Sequence, residues 1–365
     1  MNVYIAATRQ NDGKTMVSLG LLSVLRKMVK RIGYIKPVGQ QYQVINGKKI
    51  DKDAVLMREI FGFRKSLSNM SPIAIPPGFT ERYLLKGRRL DLVNKVKDAY
   101  KEISRKSDFV LVEGTGHAGV GSVFDLSNSD VASLIGAKVI IVSCGGIGKP
   151  IDEIMLNHAK FDNQGVEVIG VIINKVRKDK YDKINRLIRL GLGRKKIEVL
   201  GVIPFEEVLS NPTISELFED LGGELICGKK GLNNVVERFI VGDVVAHEVL
   251  NYLRSGTLLI VPGNREDVIF SVLSGWVLGS TGKYNIAGIV ATYGKRPPEG
   301  VIEVIKRFNI PLILVKEDSF STACEINNMI FKLRAGDKTK IKRIESLIEK
   351  YVDVKKIFNI VSGKR

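Results

Sequence analysis

Short apolar runs alternate with helix-patterned stretches from the N-terminus onward, and this alternation constrains the fold more than any other feature of the chain. The runs fall at residues 3–7, 32–36, 109–113, 138–143, 168–174 and 199–203. They are rich in Val and Ile, apolar on both faces and bounded by Gly or Pro, as strands buried inside a parallel sheet are. Helical patterns lie between them at 15–30, 90–106, 150–162 and 181–190. Strand–helix alternation implies right-handed crossovers and an α/β, doubly wound, mostly parallel sheet. The rhythm breaks over 204–234, where a short helix near 214–221 leads to Gly222-Gly223, Gly228-Lys229-Lys230-Gly231 and Asn233-Asn234. That stretch, 211–235, reads as a linker. The alternation then resumes on a smaller scale, with strands at 257–261, 286–292 and 311–315 and helices at 265–278, 299–308 and 322–333. A basic helix at 338–351 follows. The expected organisation is a first α/β domain over 1–210, a smaller α/β domain over 236–353 and a basic tail over 354–365.

Composition is consistent with two packed domains. The chain has 365 residues, 44% of them hydrophobic and 26% charged, which suits two cores better than one. No apolar run is long enough for a bilayer and the N-terminus reads at once as a strand, so a cytoplasmic protein without a membrane partner is expected. The three cysteines, Cys144, Cys227 and Cys324, lack metal or disulfide spacing and read as small buried residues. His117, His158 and His247 are too scattered for a metal constellation. The net charge of +18 attracts nucleotides, acidic metabolites and nucleic acid alike. Its lysines are spread along helices and not interleaved with aromatics, so nucleic acid is not the expected partner.

The chemistry concentrates where the first run ends, at Ala7-Thr8-Arg9-Gln10-Asn11-Asp12-Gly13-Lys14-Thr15. Phosphates need inward-pointing N–H groups, a positive helix end and a nearby cation. Gly13 permits close backbone approach, Lys14 reaches terminal phosphates, and Thr15 offers a hydroxyl to Mg²⁺ as it opens an amphipathic helix. Thr8, Asp12, Gly13, Lys14, Thr15 and Met16 are the candidate cofactor-binding positions on the loop. Glu113 ends the run 109–113 beside Gly114, Gly116 and Gly119, at the sheet edge where ligands sit, and is a candidate Mg²⁺ ligand with Thr15. Asp53, in Asp51-Lys52-Asp53-Ala54, is a third candidate, although an acid before a helix is ordinarily its N-cap. Lys36, held by Pro37, closes the second run at the same edge and is, with Lys14, a candidate catalytic cation. Asn174, before Lys175, is a candidate for reading a purine edge. Cys144-Gly145-Gly146-Ile147-Gly148 is a further glycine-rich turn.

Together these residues resemble the dethiobiotin synthetase-like P-loop family, whose loop reads Gly-Thr-x-x-x-x-Gly-Lys-Thr. Ala7 replaces the leading glycine, and alanine serves there if the backbone stays β-like. Lys36-Pro37-Val38, Asp53-Ala54 and Val112-Glu113-Gly114 match the family's other motifs in order, over roughly the first 210 residues. The second half resembles the domain named for its Asp-Arg and Thr-Gly-Gly motifs, through Gly242-Asp243, His247, Val261-Pro262-Gly263-Asn264-Arg265-Glu266-Asp267, Ala287 to Gly294 and Glu317 to Ala323. Asn264 and Tyr293 depart from the name motifs, while an anion held by Arg265 and its helix N-terminus is physically reasonable there. The domain order resembles the N-terminal region of long phosphotransacetylases. With only a short basic tail after Tyr351, acetyl transfer is not expected of this chain. The resemblance implies an ATP- and Mg²⁺-binding regulatory or sensing module, or slow ATPase, working with an acyl-transfer partner and as a homo-oligomer. The alternatives are an ATP-dependent ligase related to dethiobiotin synthetase and a non-enzymatic oligomeric scaffold.

Overall fold

A computed structural model describes residues 1–209, 211–278, 285–328 and 333–363, apart from the side chains of 276–278 and 328. The chain forms two compact units, residues 1–205 with 333–365, and residues 206–332.

The first unit is built on β1 (Asn2–Ala7), β2 (Ile32–Ile35), β3 (Phe109–Glu113), β4 (Lys138–Cys144), β5 (Val168–Val176) and β6 (Val199–Pro204). They make one parallel sheet in the order β6-β5-β4-β1-β3-β2. The chain starts in the middle, lays down β2 at one edge, fills in β3, then crosses to the far side of β1. The order therefore reverses at β1, and the crevice beyond the C-terminal ends of β1 and β4 is where such sheets take ligands. The connecting helices are α1 (Lys14–Leu25), α2 (Lys52–Phe61), α3 (Arg89–Ser104), α4 (Asn128–Leu134), α5 (Gly148–Asp162) and α6 (Tyr181–Gly193). Ile5, Ile140 and Ile172 are fully buried, which is why these strands read as continuous apolar runs. Small ladders, Val38–Gly39 with Ile73–Ala74 and Tyr42–Ile45 with Lys48–Asp51, lie between β2 and α3. They are too short to carry a legible period.

In the second unit β8 (Arg238–Val241), β9 (Thr257–Pro262), β10 (Ile286–Thr292) and β11 (Leu312–Leu314) run parallel, and β7 (Glu224–Cys227) pairs antiparallel with β11 at the edge. Helices α8 (Glu266–Leu278) and α9 (Glu299–Arg307) cover one face, packing Val268, Val272, Ile302 and Ile305 on Leu259 and Ile289. Helices α7 (Ile214–Leu221) and α10 (Ser319–Asn328) cover the other, packing Ile214, Leu217 and Ile326 on Leu258, Val290 and Ile313.

Five expectations change. Residues 211–235 are not a linker: Thr213 and Glu216 form a capping box that starts α7, and β7 extends the sheet. The glycines that suggested a linker include two turn positions, Gly222 (φ 63°) ending α7 and Gly228 (φ 80°). Residues 354–362 are not a tail but a helix, α12 (Val354–Ser362), capped by Asp353. With α11 (Lys338–Tyr351), α12 belongs to the first unit and not to the second. The helix expected at 322–333 starts earlier, at Ser319, and the part of it over 329–332 lies outside the described residues, as do residues 364–365 of the expected tail. Finally, α1 ends at Leu25 and is not amphipathic. Residues from Val17 to Leu25 are almost all buried, because α11 covers the face that the sheet does not.

Candidate functional site

The loop between β1 and α1 is held open by its own side chains. The Asp12 carboxylate accepts from Thr8 Oγ1 at 2.6 Å and from Arg9 N at 2.8 Å through Oδ2, and from Cys144 Sγ at 3.1 Å through Oδ1. Thr8 N donates to the Val142 carbonyl at 2.9 Å. Asp12 therefore spends its carboxylate inside the loop, and what it can offer a phosphate is its N–H. Burial, with Asp12 beside it, pushes the Cys144 thiol up to about 12, so this cysteine is a donor and not a nucleophile. Gly13 sits at φ 97°, and a Cβ there would lie 2.1 Å from Asn174 Nδ2. Having no side chain, Gly13 cannot cap α1, which leaves the first amides of the helix, those of Lys14, Thr15 and Met16, for an anion. Ala7 ends β1 in register with Val142 and stays outside the positive-φ region, as its replacement of glycine requires.

Below the loop, ionisable groups are gathered out of water. Lys14, Lys36, Asp51, Asp53 and Glu113 are all between 0 and 9% exposed. Lys14 Nζ rests on two carbonyls, those of Arg9 at 3.4 Å and Gly116 at 3.3 Å. Burial pulls its pKa below the ordinary lysine value, against the opposing pull of Glu113. Glu113 Oε1 accepts from Thr15 Oγ1 at 2.9 Å and Oε2 from the Tyr34 hydroxyl at 3.0 Å. Lys36 Nζ sits among three carboxylates, bonded to Asp53, 3.3 Å from Asp51 Oδ1 and 3.7 Å from Glu113 Oε1. Burial alone would lower the Lys36 pKa, but Asp53, Glu113 and Asp51 together raise it well above the ordinary value. Burial raises Glu113 and Asp51 above their ordinary values, and Lys36 works in the opposite direction on both. Groups of this kind cluster at working sites because desolvation is otherwise costly.

Lys14, Thr15, Lys36, Asp53 and Glu113 thus come together, with Thr8 and Asp12 in the loop wall. Asn174 is also at the loop. Its Nδ2 donates to the Asp12 carbonyl at 3.0 Å and its Oδ1 accepts from Lys175 N at 2.9 Å, so the amide braces the loop from beneath. Two residues were missed. Asp51, not Asp53, is the N-cap of α2, accepting from Asp53 N at 2.9 Å; this frees Asp53 to face Lys36, and the Asp-x-Asp spacing was the available signal. Tyr34 was hidden as one more apolar residue of β2. A separate open cavity of about 430 Å³ in the same unit is lined by Arg89, Ser122, Asp125, Asp130 and Lys160. Among the described residues, no cluster of three or more His, Cys, Asp or Glu forms a ready-made metal centre.

The second unit's matching edge is different. Arg265 is tied to Asp267 at 2.9 and 3.0 Å and to the Val244 carbonyl at 3.1 Å. Glu266 and Asp267 occupy the first turn of α8. An anion there is disfavoured: the guanidinium is already paired, and two acids oppose an anion at that helix end. Thr292 Oγ1 and Ser319 Oγ form a buried pair at 2.8 Å, while Tyr293 stands at φ 62° and is about half exposed.

A Gly-Lys-Thr loop at the reversal point of a parallel sheet, backed by a strand-end carboxylate, defines a P-loop NTPase-like unit, here followed by a smaller α/β unit. A family described as AAA domain matches residues 1–213, and one described as DRTGG domain matches residues 216–329. The chain belongs to this AAA-domain P-loop family, with a DRTGG domain fused behind it. The phosphate acetyltransferase of Nitratidesulfovibrio vulgaris is 26% identical over 361 residues, covering 96% of this chain and 50% of that protein. The phosphate acetyltransferase of Synechocystis sp. is 26% identical over 372 residues, covering 100% and 52%. The chain thus spans about half the length of the curated relatives it matches. Among solved structures, the MinC:MinD cell division protein complex of Aquifex aeolicus aligns at a TM-score of 0.38 and 17% identity, over 57% of this chain and 83% of that one. Among the described residues, no helix is long and apolar enough to cross a membrane.

Proposed function

We propose that the first unit binds ATP with Mg²⁺ and that the chain is a nucleotide-responsive regulatory module or slow ATPase serving an acyl-transfer partner. The observation that carries this is the buried set beneath the loop, where Lys14 holds only long contacts to two carbonyls that phosphate oxygens can replace. Thr15, Asp53 and Glu113 offer hard oxygen donors from three elements around a cation, Lys36, and that donor chemistry fits Mg²⁺ completed by phosphate and water. When bound, the metal would neutralise phosphate charge. The amides of Gly13 to Met16 would hold the phosphates, and Lys14 would hold their terminal oxygens. Asn174 and Asp12 keep the loop in the shape this requires. The names of the relatives support an acyl-transfer partner, and homo-oligomerisation is part of the same reading.

Mg-ATP should raise the melting temperature. Ligand at a hundredfold over Kd contributes about 2.7 kcal/mol, which is on the order of 3–4 °C for a chain of this size. Lys14→Ala should abolish the shift. No shift with any purine nucleoside triphosphate would sink the assignment.

One observation favours a second reading, an ATP-dependent ligase. The cavity lined by Arg89, Lys160, Asp125 and Asp130 carries both signs of charge, as a carboxylated amine substrate would need. Turnover only with a diamine and bicarbonate would select the ligase, and turnover without substrate the ATPase.

A further inference from the structure

The second unit is inserted into the first. The chain leaves the first unit after Phe205 and re-enters at Leu333, so residues 206–332 are attached at two points. The outgoing attachment follows β6, where Phe205 N donates to the Val176 carbonyl at 2.7 Å, two residues beyond Asn174 on β5. The returning attachment leads into α11, which packs along α1, the helix that begins with Lys14 and Thr15. Ile344 and Ile348 lie on Gly20, where a Cβ would come within 2.2 Å of Ile348 Cγ1. At the far end of α1, Lys27 pairs with Glu345 at 2.6 Å and Glu349 at 2.5 Å. The end of α11 is then fixed to β6: Val352 bridges Gly201, and Asp353 N donates to the Leu200 carbonyl at 2.9 Å. Both attachments therefore converge on elements that form the nucleotide site.

We propose that α11 is a transmission helix that couples nucleotide occupancy at the P-loop to the DRTGG unit, an inference that rests on the nucleotide reading above. Phosphates seated on the N-terminus of α1 exchange the present partners of Lys14 and Thr15 and displace the helix. Because α1 is buried over nearly all of Val17 to Leu25, it has little room to absorb that displacement locally, and close-packed interiors pass strain to their neighbours. The neighbour is α11, and α11 is the return tether of the second unit. Coupling is reciprocal, so a ligand or partner on the second unit alters nucleotide affinity by the same factor.

Hydrogen exchange on the full chain, with and without Mg-ATP, tests this. Exchange should slow in the P-loop and α1, and also in α11 and the second unit by about five-fold or more, the lower end of ordinary site-to-site coupling. Gly20→Ala leaves a better helix former in α1 but drives Ile348 away. It should keep the protection at the P-loop and lose it in the second unit. Adding Ile348→Ala removes the colliding Cγ1 and should restore it. Should Gly20→Ala fail to fold, Lys27→Glu opposes Glu345 and Glu349 at the exposed end of the contact, and the same loss is expected. Wild-type protection confined to the P-loop and α1 overturns the inference and leaves the nucleotide reading standing. No protection anywhere overturns that reading first. A transmitted response that survives both variants also overturns the inference, because the contact is then not the route.

Discussion

The two units present the same kind of edge, the C-terminal ends of parallel strands, and treat charge there in opposite ways. In the first, Lys36 and three carboxylates are sealed from water with one ammonium among them. In the second, Arg265 and Asp267 form a local pair that is partly open to solvent. Buried charge is costly and exposed pairs are nearly neutral. A chain that needed only two stable sheets would build both edges like the second. The first edge is built against that preference, and the nucleotide reading rests on that difference.

The largest break in this comparison comes from removing one cation from each edge. Lys36→Met should destabilise the first unit by about 3–5 kcal/mol near neutral pH, since it leaves Asp51, Asp53 and Glu113 without their shared partner. Arg265→Met should cost less than about 1 kcal/mol. Denaturant unfolding measures both, and equal costs would mean that the first edge is no more committed than the second. The pH dependence has a definite sign. Burial already raises Asp51 and Glu113, and Lys36 holds them down. Without it their folded-state pKa values rise further above the unfolded ones. Such groups favour the folded state below the unfolded pKa and lose that contribution as pH rises through the folded one. The Lys36→Met deficit should therefore shrink as the solution is acidified from neutral toward pH 4.

Gly13→Ala is the next effect in size. It combines a positive φ with a collision against Asn174, and should cost about 2 kcal/mol of stability and most of the Mg-ATP-induced thermal shift. A variant that binds normally would show that the loop relaxes around Asn174, and that the amide is less of a brace than its hydrogen bonds indicate.

How much of this was legible follows from what each signal depends on. The six strands of the first sheet read directly because burial on both faces leaves an uninterrupted apolar run. That Lys14, Thr15 and Glu113 lie together was legible because strand, loop and strand-end positions carry them in fixed order. Asp51 and Tyr34 did not, since each looks like something ordinary, a cap and an apolar strand residue, until folding brings it to Lys36 or Glu113. The placement of α11 was invisible for a different reason. Its contact with α1 joins residues more than three hundred positions apart, Lys27 to Glu349, and its one local trace was Gly20, which reads simply as a small helical residue. The linker and tail were misread because glycine and lysine counts describe solvation, whereas capping by Thr213 and Asp353 decided the structure.

The smallest effect sharpens the comparison most finely. Tyr293 occupies the left-handed region at φ 62°, next to Gly294 at φ 60°, where an L side chain costs about 1–2 kcal/mol relative to glycine. The residue is 54% exposed, so packing returns little of that. Its N–H already bonds the Glu317 carbonyl at 2.7 Å, and glycine would keep that bond. Against the relief stands the added freedom of glycine in the unfolded chain, about 0.5–1 kcal/mol. Tyr293→Gly should therefore stabilise the second unit by about 0.5 kcal/mol, read as a higher denaturation midpoint at unchanged slope. A gain of that size would mean that the ring is held at a small cost to the fold. The quiet edge would then also carry a residue kept for contact with something outside the unit. A loss would assign the ring to the unit's own packing and leave the first edge as the costlier of the two.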